Sequence, residues 1–167
     1  HAFPDAHVPV VQLSINAAKP ADYHLQLGAR LAALRESGVL LLGSGNVVHN
    51  LRAMDGRSAD LAFDWVRPFN DEATDVMTTR PEYAARLVTH RDFARVAPTP
   101  EHFLPLLYIA GFSAAVGKTA DVLVDGYAYG SLSMTSFGVG VTCPAAEAGL
   151  PGASSLGSDA PSDEANI

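Results

Sequence analysis

A lone cysteine, Cys143, leaves no partner for an intrachain disulfide. Basic residues are also scarce. Eleven Lys plus Arg stand singly against 18 Asp plus Glu, and a net charge of −7 lacks the basic face that nucleic acid or an anionic membrane requires as a partner. No apolar run approaches the roughly 20 residues of a membrane span, and no charged-then-apolar signal segment opens the chain. A soluble cytoplasmic protein is the expectation. What is present is globular in character, because 48% hydrophobic residues against 17% charged can bury a real core, so disorder is not the default. Neither an internal repeat nor a second domain is visible. Residues 1–143 read as one α/β domain. Residues 144–167 hold Gly, Ser, Ala, Pro and acids without a base, account for −4 of the net charge, and read as a low-complexity acidic tail expected to be disordered.

The chain is organised around Val39-Leu40-Leu41-Leu42-Gly43-Ser44-Gly45-Asn46-Val47-Val48-His49-Asn50. An apolar run of strand length breaks into a Gly-Ser-Gly turn, and His49 follows four residues past the second glycine. In open parallel sheets ligands sit outside the carboxyl ends of strands, where glycines let the backbone turn tightly. His49 is therefore a candidate reactive side chain. A loop histidine bonded to backbone is the alternative.

A second anchor is Pro98-Thr99-Pro100-Glu101-His102-Phe103-Leu104-Pro105-Leu106-Leu107-Tyr108. Thr99 as N-cap and Pro100 as first helical residue place His102 in the first turn of an apolar helix. The helix dipole there disfavours an imidazolium, which suits a metal ligand or a proton-transfer group kept neutral. A capping or packing histidine is the bland alternative. Pro105 should kink or restart the helix just beyond, since its ring displaces the Glu101 carbonyl.

In chain order, residues 8–15 form a continuous β-rich run and predict a buried strand. Lys19-Pro20 opens a helix whose Tyr23, Leu27, Leu31 and Leu34 make an apolar stripe, with Gly38 after its end and His24 beside the stripe as a structural or solvated residue. A strand at 39–43 completes a strand-helix-strand crossover. Helices are predicted over 70–79 and 82–89, separated at Arg80-Pro81, with His90 on the surface. A strand from Val122 runs into a tight turn, and residues 127–140 form one or two closing strands. The predicted fold class is α/β, with a central mostly parallel sheet flanked by helices.

Taken together, the two histidine stretches resemble the class III extradiol ring-cleavage dioxygenases, in their 4,5-DOPA dioxygenase branch. Pro9-Val-Val-Gln-Leu-Ser-Ile15, Leu31-Ala-Ala-Leu-Arg35 leading to Gly38, and Gly130-Ser-Leu-Ser-Met134 match the same branch in order. The likeness spans roughly residues 1–137. The family's His-Gly-Ser-Pro-like and Ser-Ala-His-Trp-like motifs, which bring further histidines to the metal, are missing from this sequence. The chain therefore looks like the C-terminal part of a longer enzyme, with the missing N-terminal part as one partner and self-association as another.

Cleaving a catechol-type ring with O2 requires a redox metal on open coordination positions and a base of near-neutral pKa. The resemblance implies Fe(II) as the working metal, with Zn(II) as a possible occupant. It implies His102 at the metal and His49 at the metal or as the acid/base. Asn46, Ser131 and Ser133 are candidates for orienting substrate. Two other classes compete. A nucleotide-binding module is suggested by Gly43-Ser-Gly45, but Val48 stands where a third glycine belongs. A non-catalytic or inactive fragment of the same fold is the other.

Overall fold

A computed structural model describes residue 5 and residues 7–141. The acidic tail expected at 144–167 lies outside the described residues. Helix α1 spans Ala21–Leu31 and tightens into a 3-10 helix over Ala32–Ser37, which Gly38 terminates in the left-handed conformation at φ 74°. Its buried face carries His24 and Gly28 rather than Tyr23 and Leu34, which are exposed. Helix α2, Arg67–Thr79, starts with Pro68 in its first turn and buries Phe69, Asn70, Ala73, Val76 and Met77, a 3.6-residue stripe. Arg80 ends it before Pro81, and a 3-10 helix covers Pro81–Thr89 where an α-helix was expected.

Helix α3 is the short Phe93–Val96. Pro100–His102 form a 3-10 turn of their own, and α4 starts afresh at Leu104 and runs to Ala115 with Pro105 in its first turn. The proline restarts the helix, as its missing N–H dictates. α4 lies along α1, and two glycines permit the approach. A Cβ on Gly28 would collide with the Tyr108 carbonyl, and one on Gly111 with that of Leu25. The core fills the space behind α4 with Phe69, Phe103, Met77, Leu87 and Leu107, all fully buried.

The expectation of a central, mostly parallel sheet is overturned. The described residues contain two two-stranded antiparallel sheets: β1 (Asp121–Val124) with β4 (Ser136–Gly138), and β2 (Tyr127–Ala128) with β3 (Leu132–Ser133). Residues 8–15 and 39–43 are not strands. Their composition suits a pleated surface, but a strand exists only as half of a ladder, and neither stretch has a ladder partner among the described residues. Val10, Val11, Leu40 and Leu42 are 69–91% exposed as a result.

Candidate functional site

Residues 46–50 lie between two other segments and are bonded to both. On one side the Asn46 N–H donates to the His102 carbonyl at 3.0 Å, the His49 N–H to that of Val96 at 2.9 Å, and Asn50 Nδ2 to that of Arg95 at 2.8 Å. On the other side the Ser133 N–H donates to the Val48 carbonyl at 3.0 Å, and Asn46 Nδ2 donates to the Ser133 carbonyl at 2.9 Å. Gly45 makes the first contact possible, since a Cβ there would run into the His102 carbonyl oxygen.

This arrangement brings the imidazoles of His49 and His102 together, with ring centroids 5.0 Å apart and planes inclined at 45°. His49 is buried at 4% exposure, and its Nε2 lies 2.6 Å from the Thr99 carbonyl. A carbonyl only accepts, so Nε2 carries the proton and Nδ1 the lone pair. That Nδ1 is buried and has no hydrogen-bond partner. Burial holds the His49 pKa below the ordinary histidine value, the Thr99 carbonyl pulls it part of the way back, and the nearby His102 lowers it further. His102 is exposed to the solvent side. Next to it, the Thr99 hydroxyl holds the Glu101 carboxyl below its ordinary value.

His102 lines a pocket of about 120 Å³. Pro105, Leu106 and Ile109 line it with apolar groups, as do Val47 and Phe137, while Asn46, Thr135 and Ser136 make up its polar wall. His49 is not among the lining residues and sits behind them. Of the residues singled out as substrate contacts, Asn46 is in the lining. Ser131 and Ser133 are fully buried with their hydroxyls committed to the protein, Ser131 Oγ to the Asn50 carbonyl at 2.8 Å and Ser133 Oγ to Asn70 Oδ1 at 2.5 Å. Thr135 and Ser136 escaped sequence reasoning. The signal in the sequence is the hydroxyl residues at 131, 133, 135 and 136, which continue past the Gly130–Met134 motif.

A metal ion fits part of this donor set. Two imidazoles lie side by side, and that of His49 already donates its Nε2–H to a backbone carbonyl, the usual outer support of a ligating imidazole. Among the described residues, however, no group of three or more His, Cys, Asp or Glu is placed to hold a metal ion.

Comparison with known proteins agrees with the histidine motifs, because the chain's homologues include proteins named 4,5-DOPA dioxygenase extradiol. It is 42% identical over 143 residues to the 4,5-DOPA dioxygenase extradiol of Escherichia coli strain K12, covering 83% of this chain and 52% of that protein. The 4,5-DOPA dioxygenase extradiol of Beta vulgaris is 30% identical over 141 residues, covering 80% of this chain and 52% of its own length. A crystal structure of an uncharacterized protein from Escherichia coli K12 superposes with a TM-score of 0.73 at 39% identity, over 81% of this chain and 57% of that one. No family model matches. The chain spans about half the length of the curated relatives it matches. No helix among the described residues is long and apolar enough to cross a membrane.

Proposed function

We propose that this chain forms part of the site of an extradiol dioxygenase that opens a catechol-type, DOPA-like ring with O2. The observation that carries the proposal is the His49–His102 pair beside a pocket with apolar and polar lining, with one buried imidazole nitrogen unpartnered. His102 would hold the metal, and His49 would either share it or act as the acid/base. Fe(II), with Zn(II) as an alternative occupant, would be held there by these imidazoles and would supply the redox chemistry of a catechol with O2 in the iron form. The residues of this chain do the rest. A planar ring can lie along Pro105 and Ile109 while its polar substituents meet Asn46, Thr135 and Ser136. His49, with its proton on Nε2, keeps Nδ1 as the nitrogen that would take a proton or a metal, and burial favours its neutral form.

Two histidines fall short of the three protein ligands of a facial iron site. We therefore propose that further ligands come from an N-terminal part of the same protein, and that residues 1–167 alone do not cleave catechols. The exposed apolar residues Val10, Val11, Leu40 and Leu42 are a surface for that part to cover, or for self-association in its absence. A cytoplasmic location belongs to the same proposal.

The experiment is anaerobic Fe(II) loading followed by oxygen, with ring cleavage of DOPA or catechol followed by absorbance. Cleavage by a version extended to the relatives' length, lost on His102→Ala, is the expected outcome. Full activity after both His49→Ala and His102→Ala would overturn the site, and steady oxygen uptake by residues 1–167 alone would overturn the shared-ligand proposal.

A further inference from the structure

Two hydroxyls behind the polar wall of the pocket converge on one buried acceptor. Asn70, from α2, is 2% exposed and takes no part in the histidine pair. Its Oδ1 accepts Ser133 Oγ at 2.5 Å and Thr135 Oγ1 at 3.2 Å, and its Nδ2 donates to the Tyr127 hydroxyl at 3.2 Å. Ser133 Oγ in turn accepts the Thr135 N–H at 3.2 Å. One carboxamide thus ties three positions of the 127–135 segment to a helix, using donor and acceptor together. A buried network satisfied in this way is rigid, and it becomes costly when one member is removed.

The same segment faces the site on its other side. Thr135 and its neighbour Ser136 line the pocket, and the Ser133 carbonyl holds the Asn46 carboxamide that also lines it. The bonds made by Asn70 therefore bear directly on residues that line the pocket or hold its lining.

We propose that Asn70 is a positioning residue of this pocket: through the hydroxyls of Ser133 and Thr135 it fixes the wall of Asn46, Thr135 and Ser136 that selects the polar substituents of an aromatic ligand. The ligand named here rests on the ring-binding reading above, whereas the positioning role stands on the hydrogen bonds alone.

The test compares Asn70→Ala with Val76→Ala, a truncation of a buried side chain on the same helix, in the full 167-residue chain. Nuclear magnetic resonance on this chain reads the Asn46 side-chain amide and the His102 ring, and a titration of the same variants in a version extended to the relatives' length, with Zn(II) present, reads the affinity for 4-nitrocatechol. Asn70→Ala should displace both sets of resonances and weaken nitrocatechol about 10-fold, while Val76→Ala does neither. Unmoved Asn46 and His102 signals in Asn70→Ala, or equal movement in Val76→Ala, would overturn the proposal. Should Asn70→Ala fail to fold, Ser133→Ala and Thr135→Val remove the same bonds one at a time and are judged by the same signals. A wild-type protein extended to the relatives' length that binds no nitrocatechol, while Asn70→Ala still shows the displaced resonances, would sink the ring reading and leave the positioning role standing.

Discussion

The ring of His49 donates through Nε2 to the carbonyl of Thr99, three residues ahead of His102, at 2.6 Å. One histidine is thereby aimed by the segment that carries the other, and its tautomer is chosen by the protein rather than by a ligand. Removing either imidazole should therefore affect one shared site. Zinc affinity measured by calorimetry is expected to fall about 10-fold or more in both His49→Ala and His102→Ala. Loss in only one of them would separate the pair.

His24 predicts the pH dependence of stability. It is fully buried in α1, with Nδ1 3.1 Å from the Tyr108 hydroxyl, and burial lowers its pKa from 6.5. The unfolded chain thus binds a proton that the folded one resists. Stability from this group is complete above about pH 6.5 and is lost as pH falls below it toward the depressed folded value, with a limiting slope of about 1.4 kcal/mol per pH unit. Urea midpoints between pH 7.5 and 5 should show a shallower decline in His24→Gln. An unchanged decline would assign it to other groups.

Gly28 and Gly111 oppose an ordinary helix rule. Glycine to alanine inside an exposed helix should stabilise by roughly 0.5–1 kcal/mol, yet here the new methyl meets the backbone of the facing helix. The clash outweighs propensity. Gly28→Ala and Gly111→Ala should each cost about 1–3 kcal/mol in urea unfolding, and a gain in stability at either site would refute the close crossing of α1 and α4.

The exposed apolar residues predict behaviour in solution. Val10→Lys with Leu42→Lys places two charges on side chains that are 82% and 79% exposed. Light scattering should show less self-association with little change in thermal midpoint. Unfolding of the double variant would show that these side chains support the fold already described.

Much of the candidate site could be read in the sequence because it rests on local rules. Gly-Ser-Gly before His49, Thr-Pro before His102 and Pro105 after it each restrict the backbone within a few residues, and the structure places the two histidines in neighbouring segments. Gly38 ends its helix for the same reason. Asn70 was invisible by this route, since its bond to Ser133 crosses 63 positions and a polar residue in a helix reads as solvated. Residues 8–15 and 39–43 fail differently. Their β-rich composition reports what each stretch could pair with, and pairing is decided by another segment. His24 reads in the sequence as either structural or solvated, because its partner Tyr108 lies 84 positions away.

The hydrogen bonds from Asn46, His49 and Asn50 to residues 95–102 form a seam between the two histidine-bearing segments. A metal or ring held by both histidines can stay bound only while that seam is shut. Binding should therefore slow hydrogen exchange of the Asn46 and His49 amides by a factor of about one plus the ratio of ligand concentration to Kd. Amides within α1 should keep their ligand-free rates wherever they exchange by local opening. Exchange at two backbone positions would then report occupancy of a site whose own side chains carry no colour, in a chain that need not turn over.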